Sequence, residues 1–242
     1  TERMLKGFGY PVEVDGPKVT VRPGGKLTAT AIDVPSDISS AAFFMVAASI
    51  AKDSDITLQH VGINPTRVGV INILRLMGAN IEMLNKREVG GEPVADLRIR
   101  SAQLKGIQIP EDQVPLAIDE FPSIFIAASC AEGTTVLTGA EELRVKESDR
   151  IQAMVDGLQI LGVDAQGTED GAIIKGFGNE GSFSGGEVDS VDDHRIAMSF
   201  TIASLRASAP ILVKDCANVA TSFPGFVELA SGAGIQVEVE SA

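Results

Sequence analysis

The sequence predicts an α/β fold with three apolar helices inside and sheets with amphipathic helices outside. Two recurring patterns predict it. The first is an amphipathic helix that ends at glycine and runs into a strand. It occurs as RMLKGFGYPVEV (3–14), NILRLMGANIEML (72–84), GLQILGVDAQG (157–167) and FVELASGAGIQVEV (226–239). The glycine suits a left-handed helix C-cap, and the alternating residues after it suit a half-buried strand. The second is an alanine-rich helix, apolar on all sides, followed by a β-branched strand. It occurs as FFMVAASIAKDSDITL (43–58), SIFIAASCAEGTTVLT (123–138) and SFTIASLRASAPILV (199–213). A helix apolar all round is normally buried all round.

These patterns repeat. Ala48, Ala128 and Ala203 hold matching places, 80 and 75 residues apart. Residues 34–242 then contain three units of two helices and several strands. Residues 1–33 hold only the tail of an earlier unit. Arg22-Pro23-Gly24-Gly25-Lys26 reads as a turn, and Val34-Pro35-Ser36-Asp37 as a hinge-like boundary. The stretches 85–93 and 176–186, rich in glycine and polar residues, read as loops or hairpin turns. The start at Thr1, directly in helix-like Glu2-Arg3-Met4-Leu5, reads as a cut through a longer protein.

Composition bounds the function. With 242 residues, 44% of them hydrophobic, the chain can bury one large core or two small ones. A formal net charge of −13 argues against nucleic acid and anionic membranes as partners. It leaves room for an anionic substrate held by a few converging cations. Cys130 and Cys216 lie far apart, and His60 and His194 are the sole histidines. Neither a zinc site nor a disulfide scaffold is expected from these. No signal peptide or membrane-spanning run is visible, so the expected compartment is the cytoplasm.

Three helix starts carry unusual charge. The run Glu142-Leu143-Arg144-Val145-Lys146-Glu147-Ser148-Asp149-Arg150 opens a helix over 150–161, with Ser148 or Asp149 as N-cap. Cations there oppose the helix dipole by about 0.3–1 kcal/mol. Lys146 and Arg150 therefore invite an anion, although a solvated, salt-bridged turn accounts for them as well. Arg67, at a similar place in the preceding unit, favours that bland explanation. In Asp192-Asp193-His194-Arg195-Ile196-Ala197-Met198, Asp193 is a natural N-cap. Arg195 enters a buried helix and needs Asp192, Asp193 or a bound anion as partner. His194 reads as structural or as a supporting donor. In Ala117-Ile118-Asp119-Glu120-Phe121-Pro122, Asp119 is either an N-cap or a carboxylate tuned by burial and nearby cations. Ser36-Asp37-Ile38-Ser39-Ser40 opens the first apolar helix, and capping explains it.

Two of these runs are recognisable. Leu143-Arg144-Val145-Lys146-Glu147-Ser148-Asp149-Arg150 resembles one signature of the EPSP (5-enolpyruvylshikimate-3-phosphate) synthases, and Asp193-His194-Arg195-Ile196-Ala197-Met198 resembles a second. The resemblance extends along essentially the whole chain and is nearest to the class II bacterial type. It implies a C-terminal portion: 1–33 would end the N-terminal domain, and 34–242 would be the C-terminal domain of three βαβαββ units. The missing N-terminal domain of the same protein would be its partner. The implied reaction transfers the enolpyruvyl group of phosphoenolpyruvate to the 5-hydroxyl of shikimate-3-phosphate, with no metal or organic cofactor. By the resemblance, Asp119 contacts the shikimate hydroxyls and accepts a proton, and Lys146 touches shikimate-3-phosphate. Glu147 moves a proton at the enolpyruvyl methylene, and Arg150 and Arg195 clamp phosphoenolpyruvate. Glu142 and Thr221 depart from the pattern of some members and carry no assigned role. Enolpyruvyl transferases acting on UDP-sugars share this fold without the Arg-Val-Lys-Glu-Ser-Asp-Arg run.

Overall fold

The computed structural model describes residues 1–240. Short helix α1 (Glu2–Gly7) leads to a hairpin of β1 (Val12–Asp15) and β2 (Lys18–Val21). Apolar helix α2 (Ile38–Ile50) follows, then β3 (Asp55–Gly62), α3 (Gly69–Leu76), β4 (Asn80–Val89) and β5 (Glu92–Arg100). The second stretch holds α4 (Phe121–Cys130), β6 (Glu132–Leu137), α5 (Arg150–Ile160), β7 (Asp164–Gly167) and β8 (Ala172–Phe177). The last holds β9 (Gly186–Asp189), α6 (His194–Ala203), β10 (Ile211–Lys214), α7 (Val219–Ser222) and α8 (Phe226–Gly232).

Two antiparallel sheets share one topology, β3-β5-β4 and β6-β8-β7. In each, the last strand in sequence lies in the middle. The β4–β5 hairpin turns at Gly90 and Gly91, both at positive φ (57° and 83°), as a tight turn between twisted strands requires. Strands β9 and β10 pair in parallel, which needs a crossover, and α6 provides it. The strand expected after α8 is not formed: residues 234–240 hold no strand. The stretch 85–93 is mostly strand, broken only at its turn.

The three apolar helices are the core. All ten residues of α4 are buried, as are all but one of α2. Each of α2, α4 and α6 packs on the other two. Burying a Phe or Ile side chain contributes about 1.5–3 kcal/mol, so Phe43, Ile124, Phe125 and Phe200 are a large share of the stability. Helix α5 is drawn close by a glycine: a Cβ at Gly157 would lie 2.7 Å from Cε2 of Phe200 on α6. Alanine there would force the buried Phe200 ring or the helix to move.

Candidate active site

Every apolar helix begins at the same end of the core, and the polar residues ahead of them meet there. The cause is local at three starts. Asp37 caps α2 by accepting the Ser40 N–H at 2.8 Å. Asp149 caps α5 through the Gln152 N–H at 3.0 Å, and Asp193 caps α6 through the Arg195 N–H at 2.9 Å. Ser148 does not cap; its hydroxyl donates to Asp193 at 3.0 Å. The turn before α6 is strained. Val191 and Asp192 both stand at positive φ (49° and 56°), which is rare for a β-branched residue. The Val191 N–H donates to Asp189 at 2.8 Å, the Ser190 hydroxyl donates to the Asp215 carbonyl at 2.6 Å, and Asn218 donates to the Asp192 carbonyl. These bonds hold Asp193 in place.

Arg150 lies at the centre, with its side chain only 1% exposed. Its Nε donates to Asp193 Oδ2 at 2.8 Å, and its Nη2 donates to Glu147 Oε2 at 2.5 Å. Among the described residues its Nη1 has no hydrogen-bond partner, and it lies 3.6 Å from Asp119 Oδ1. Burial pushes the Asp193 carboxyl up. Arg150, the Arg195 amide and Ser148 outweigh that and hold it below the ordinary aspartate range.

Asp119 stands just ahead of α4 and faces three cations. Lys146 Nζ is 3.5 Å from Oδ1, Arg150 Nη1 is 3.6 Å from it, and Arg67 Nη2 is 3.9 Å from Oδ2. All are longer than a charge-assisted N–H···O bond of about 2.7–2.9 Å. The carboxylate is thus held in a positive field without being locked to one partner. Lys146 is bonded to Glu142 at 2.5 Å; that bond, then Asp119, outweighs burial and raises its pKa. His194 is lowered, by burial first and then by Arg195 and Arg150, against Asp193 and Glu147.

Asp119, Lys146, Glu147, Arg150 and Arg195 therefore fall in one connected cluster. Of the three partners expected for Arg195, two are corrected: its guanidinium pairs with neither Asp192 nor Asp193. Asp193 is taken by Arg150, and Arg195 Nη1 donates to the Asp119 carbonyl at 3.0 Å, with Glu120 3.7 Å away. Sequence reasoning missed three members. Arg67 stood as evidence for a bland repeat, Ser39 as part of a cap, and Glu120 without comment. The one available signal was Glu120 itself, an acid entering a buried helix and so in need of a partner.

Among the described residues, no group of three or more His, Cys, Asp or Glu is placed to hold a metal ion. None of the described helices is long and apolar enough to cross a membrane.

Comparison with known proteins matches residues 1–229 to the family described as EPSP synthase (3-phosphoshikimate 1-carboxyvinyltransferase). A 3-phosphoshikimate 1-carboxyvinyltransferase of Methylococcus capsulatus is 70% identical over 239 residues, covering 99% of this chain and 54% of that protein. The Nitrosococcus oceani protein of the same name is 65% identical, covering 98% and 52%. The structure of EPSP synthase from Acinetobacter baumannii superposes with a TM-score of 0.97 at 60% identity, over 100% of this chain and 55% of that one. An enolpyruvyl transferase from Streptomyces tendae shares the fold at TM-score 0.78 and 16% identity. The chain spans about half the length of the curated relatives it matches.

Proposed function

The chain belongs to the EPSP synthase family, and we propose that it supplies one wall of an active site that joins shikimate-3-phosphate to phosphoenolpyruvate. On this reading the other wall comes from an N-terminal domain of the same protein, and the relatives have length enough for one. The observation that supports this is the convergence of Lys146, Arg150 and Arg67 on Asp119, from three separate segments.

The reaction needs two kinds of group. Two anionic substrates must be held, which suits cations and above all the forked guanidinium of arginine. Protons must move at carbon and at oxygen, which suits positioned carboxylates. Lys146 takes shikimate-3-phosphate and Asp119 takes its hydroxyls, accepting a proton as the 5-hydroxyl oxygen attacks C2 of phosphoenolpyruvate. A proton adds at C3, giving a tetrahedral intermediate. Loss of phosphate then accompanies loss of a C3 proton, and Glu147 serves the methylene. Arg150 and Arg195 hold the phosphoenolpyruvate charges. The exposed acids Glu142 and Glu147 neutralise Lys146 and Arg150 until substrate anions compete for them. Residues 1–33 close the N-terminal domain and 34–242 form the C-terminal one, in the cytoplasm, without a metal or organic cofactor.

A phosphate-release assay tests the reading. The full-length enzyme is expected to turn over and this chain alone to show negligible turnover. Arg195→Ala in the full-length enzyme is expected to weaken phosphoenolpyruvate far more than shikimate-3-phosphate. Equal losses would remove the role given to Arg195. A full-length enzyme that accepts a UDP-sugar and not shikimate-3-phosphate would overturn the reaction itself.

A further inference from the structure

Glu120 has a use that neither capping nor substrate contact accounts for. It immediately precedes α4, yet its side chain makes no capping bond to that helix. It turns instead into the space between the starts of α2, α4 and α6, where its side chain is 1% exposed. Its Oε1 accepts the Ser39 hydroxyl at 2.6 Å and stands 3.7 Å from both Arg67 Nη2 and Arg195 Nη1. Ser39 Oγ in turn accepts from Arg67 Nη2 at 2.6 Å, and that same nitrogen is the one facing Asp119. One buried carboxylate thus binds together the two arginines that flank Asp119.

Stability does not explain this arrangement. A buried ion pair is commonly no more stabilising than an apolar group of the same volume. Burial pushes the Glu120 carboxyl above the ordinary glutamate range, with Asp119 adding to the rise, against the pull of Ser39, Arg195 and Arg67. A carboxyl with a raised pKa favours the folded state less once it ionises, so its charge works against stability as pH rises through its titration.

We propose that Glu120 and Arg67 are positioning residues of the active site. Glu120 is the shared anchor that aims the Arg195 guanidinium and, through Arg67 and Ser39, sets the Asp119 carboxylate. The proposal rests on the transferase reading above.

Steady-state kinetics of the full-length enzyme test it, with melting temperature measured alongside. Since a misplacement of about 1 Å can cost ~100-fold, Glu120→Gln is expected to lower kcat by about tenfold or more. It also raises KM for phosphoenolpyruvate as Arg195 loosens, an effect that a loss of stability alone does not produce. A purely structural glutamate would lower the melting temperature and leave kcat alone. Arg67→Ala lowers kcat with KM for phosphoenolpyruvate unchanged, because Arg195 keeps Glu120. The double variant loses little more than Glu120→Gln, because Glu120 acts on Asp119 through Arg67 and its loss already frees that arginine. An inactive wild type overturns the transferase reading and the positioning proposal with it. An active wild type with both single variants within twofold of it overturns the positioning proposal alone. If Glu120→Gln does not fold, Arg67→Ala decides, since that side chain is 45% exposed: unchanged kcat overturns the proposal, and a tenfold loss at unchanged KM and melting temperature upholds it.

Discussion

Helices α4 and α6 begin alike in sequence and differently in space. Each follows an acidic pair, Asp119-Glu120 in one and Asp192-Asp193 in the other, and each is an apolar run. At α6 the second acid is spent on the fold. Asp193 has extended backbone and a short side chain, so it reaches the Arg195 N–H, and it also neutralises Arg150. At α4 the second acid cannot do this. Glu120 has near-helical backbone (φ −100°, ψ −3°) and a longer side chain, and Pro122 in the first turn offers no N–H. Neither acid of the pair caps the helix, so Asp119 and Glu120 are left for the cations around them. Which acid is left to face the cations thus depends on whether the helix needs it as a cap.

The comparison can be broken most directly at Asp193. Asp193→Ala leaves Arg150 buried without its main partner and removes a cap. Loss of one partner of a buried pair costs about 3–5 kcal/mol. Thermal denaturation of the chain should show it, at roughly 2–4 °C per kcal/mol for a domain of this size. The carboxyl is held below the ordinary 3.8, so its contribution is complete above that pH and is lost as pH falls below it. The wild-type and Ala variant should therefore converge in stability on acidification. A melting temperature within a degree of wild type at neutral pH would erase the contrast between the two helix starts.

Asp119→Asn sharpens it from the other side. Under the proposed role of Asp119 as proton acceptor, the variant should lower kcat by about 100-fold or more in the full-length enzyme. The chain's stability should change by no more than about 1 kcal/mol, because the carboxylate is partly exposed and Arg150 keeps Asp193 and Glu147. A variant that melts early but retains turnover would reverse the roles assigned to the two acids.

The smallest effect is expected at Asp37, a cap with no place in the cluster. Asp37→Ala should cost about 1 kcal/mol of stability and leave kcat within twofold. A large activity loss there would mean that the α2 cap also controls Ser39 and, through it, Glu120.

Much of this was legible in the sequence because it is local. Alanine-rich apolar runs identify α2, α4 and α6 from residue type alone. The cap at Asp193 follows from a short acid just ahead of a helical pattern; ahead of α5 Ser148 and Asp149 both fitted, and the structure uses Asp149. The failures have physical causes too. Val237 and Val239 alternate like a strand, but no neighbouring strand pairs with residues 234–240. A half-buried strand forms when a sheet edge accepts it, and alternation alone does not supply one. For Arg195 the sequence offered Asp192, Asp193 or a bound anion, and the protein partners it meets, the Asp119 carbonyl and Glu120, lie too far along the chain for local reading to find.

The chain by itself determined the helices, their caps and the residue types gathered at their starts, since these depend on propensity and on contacts within a few positions. Only the tertiary structure decided which charges meet. Arg150 finds Asp193 43 positions away, Arg195 finds the Asp119 carbonyl 76 away, and Ser39 finds Glu120 81 away. Those pairings exist because α2, α4 and α6 bury one another with their starts together, and α5 packs against α4 and α6 with its start beside them. Hydrophobic packing sets that arrangement without reference to charge.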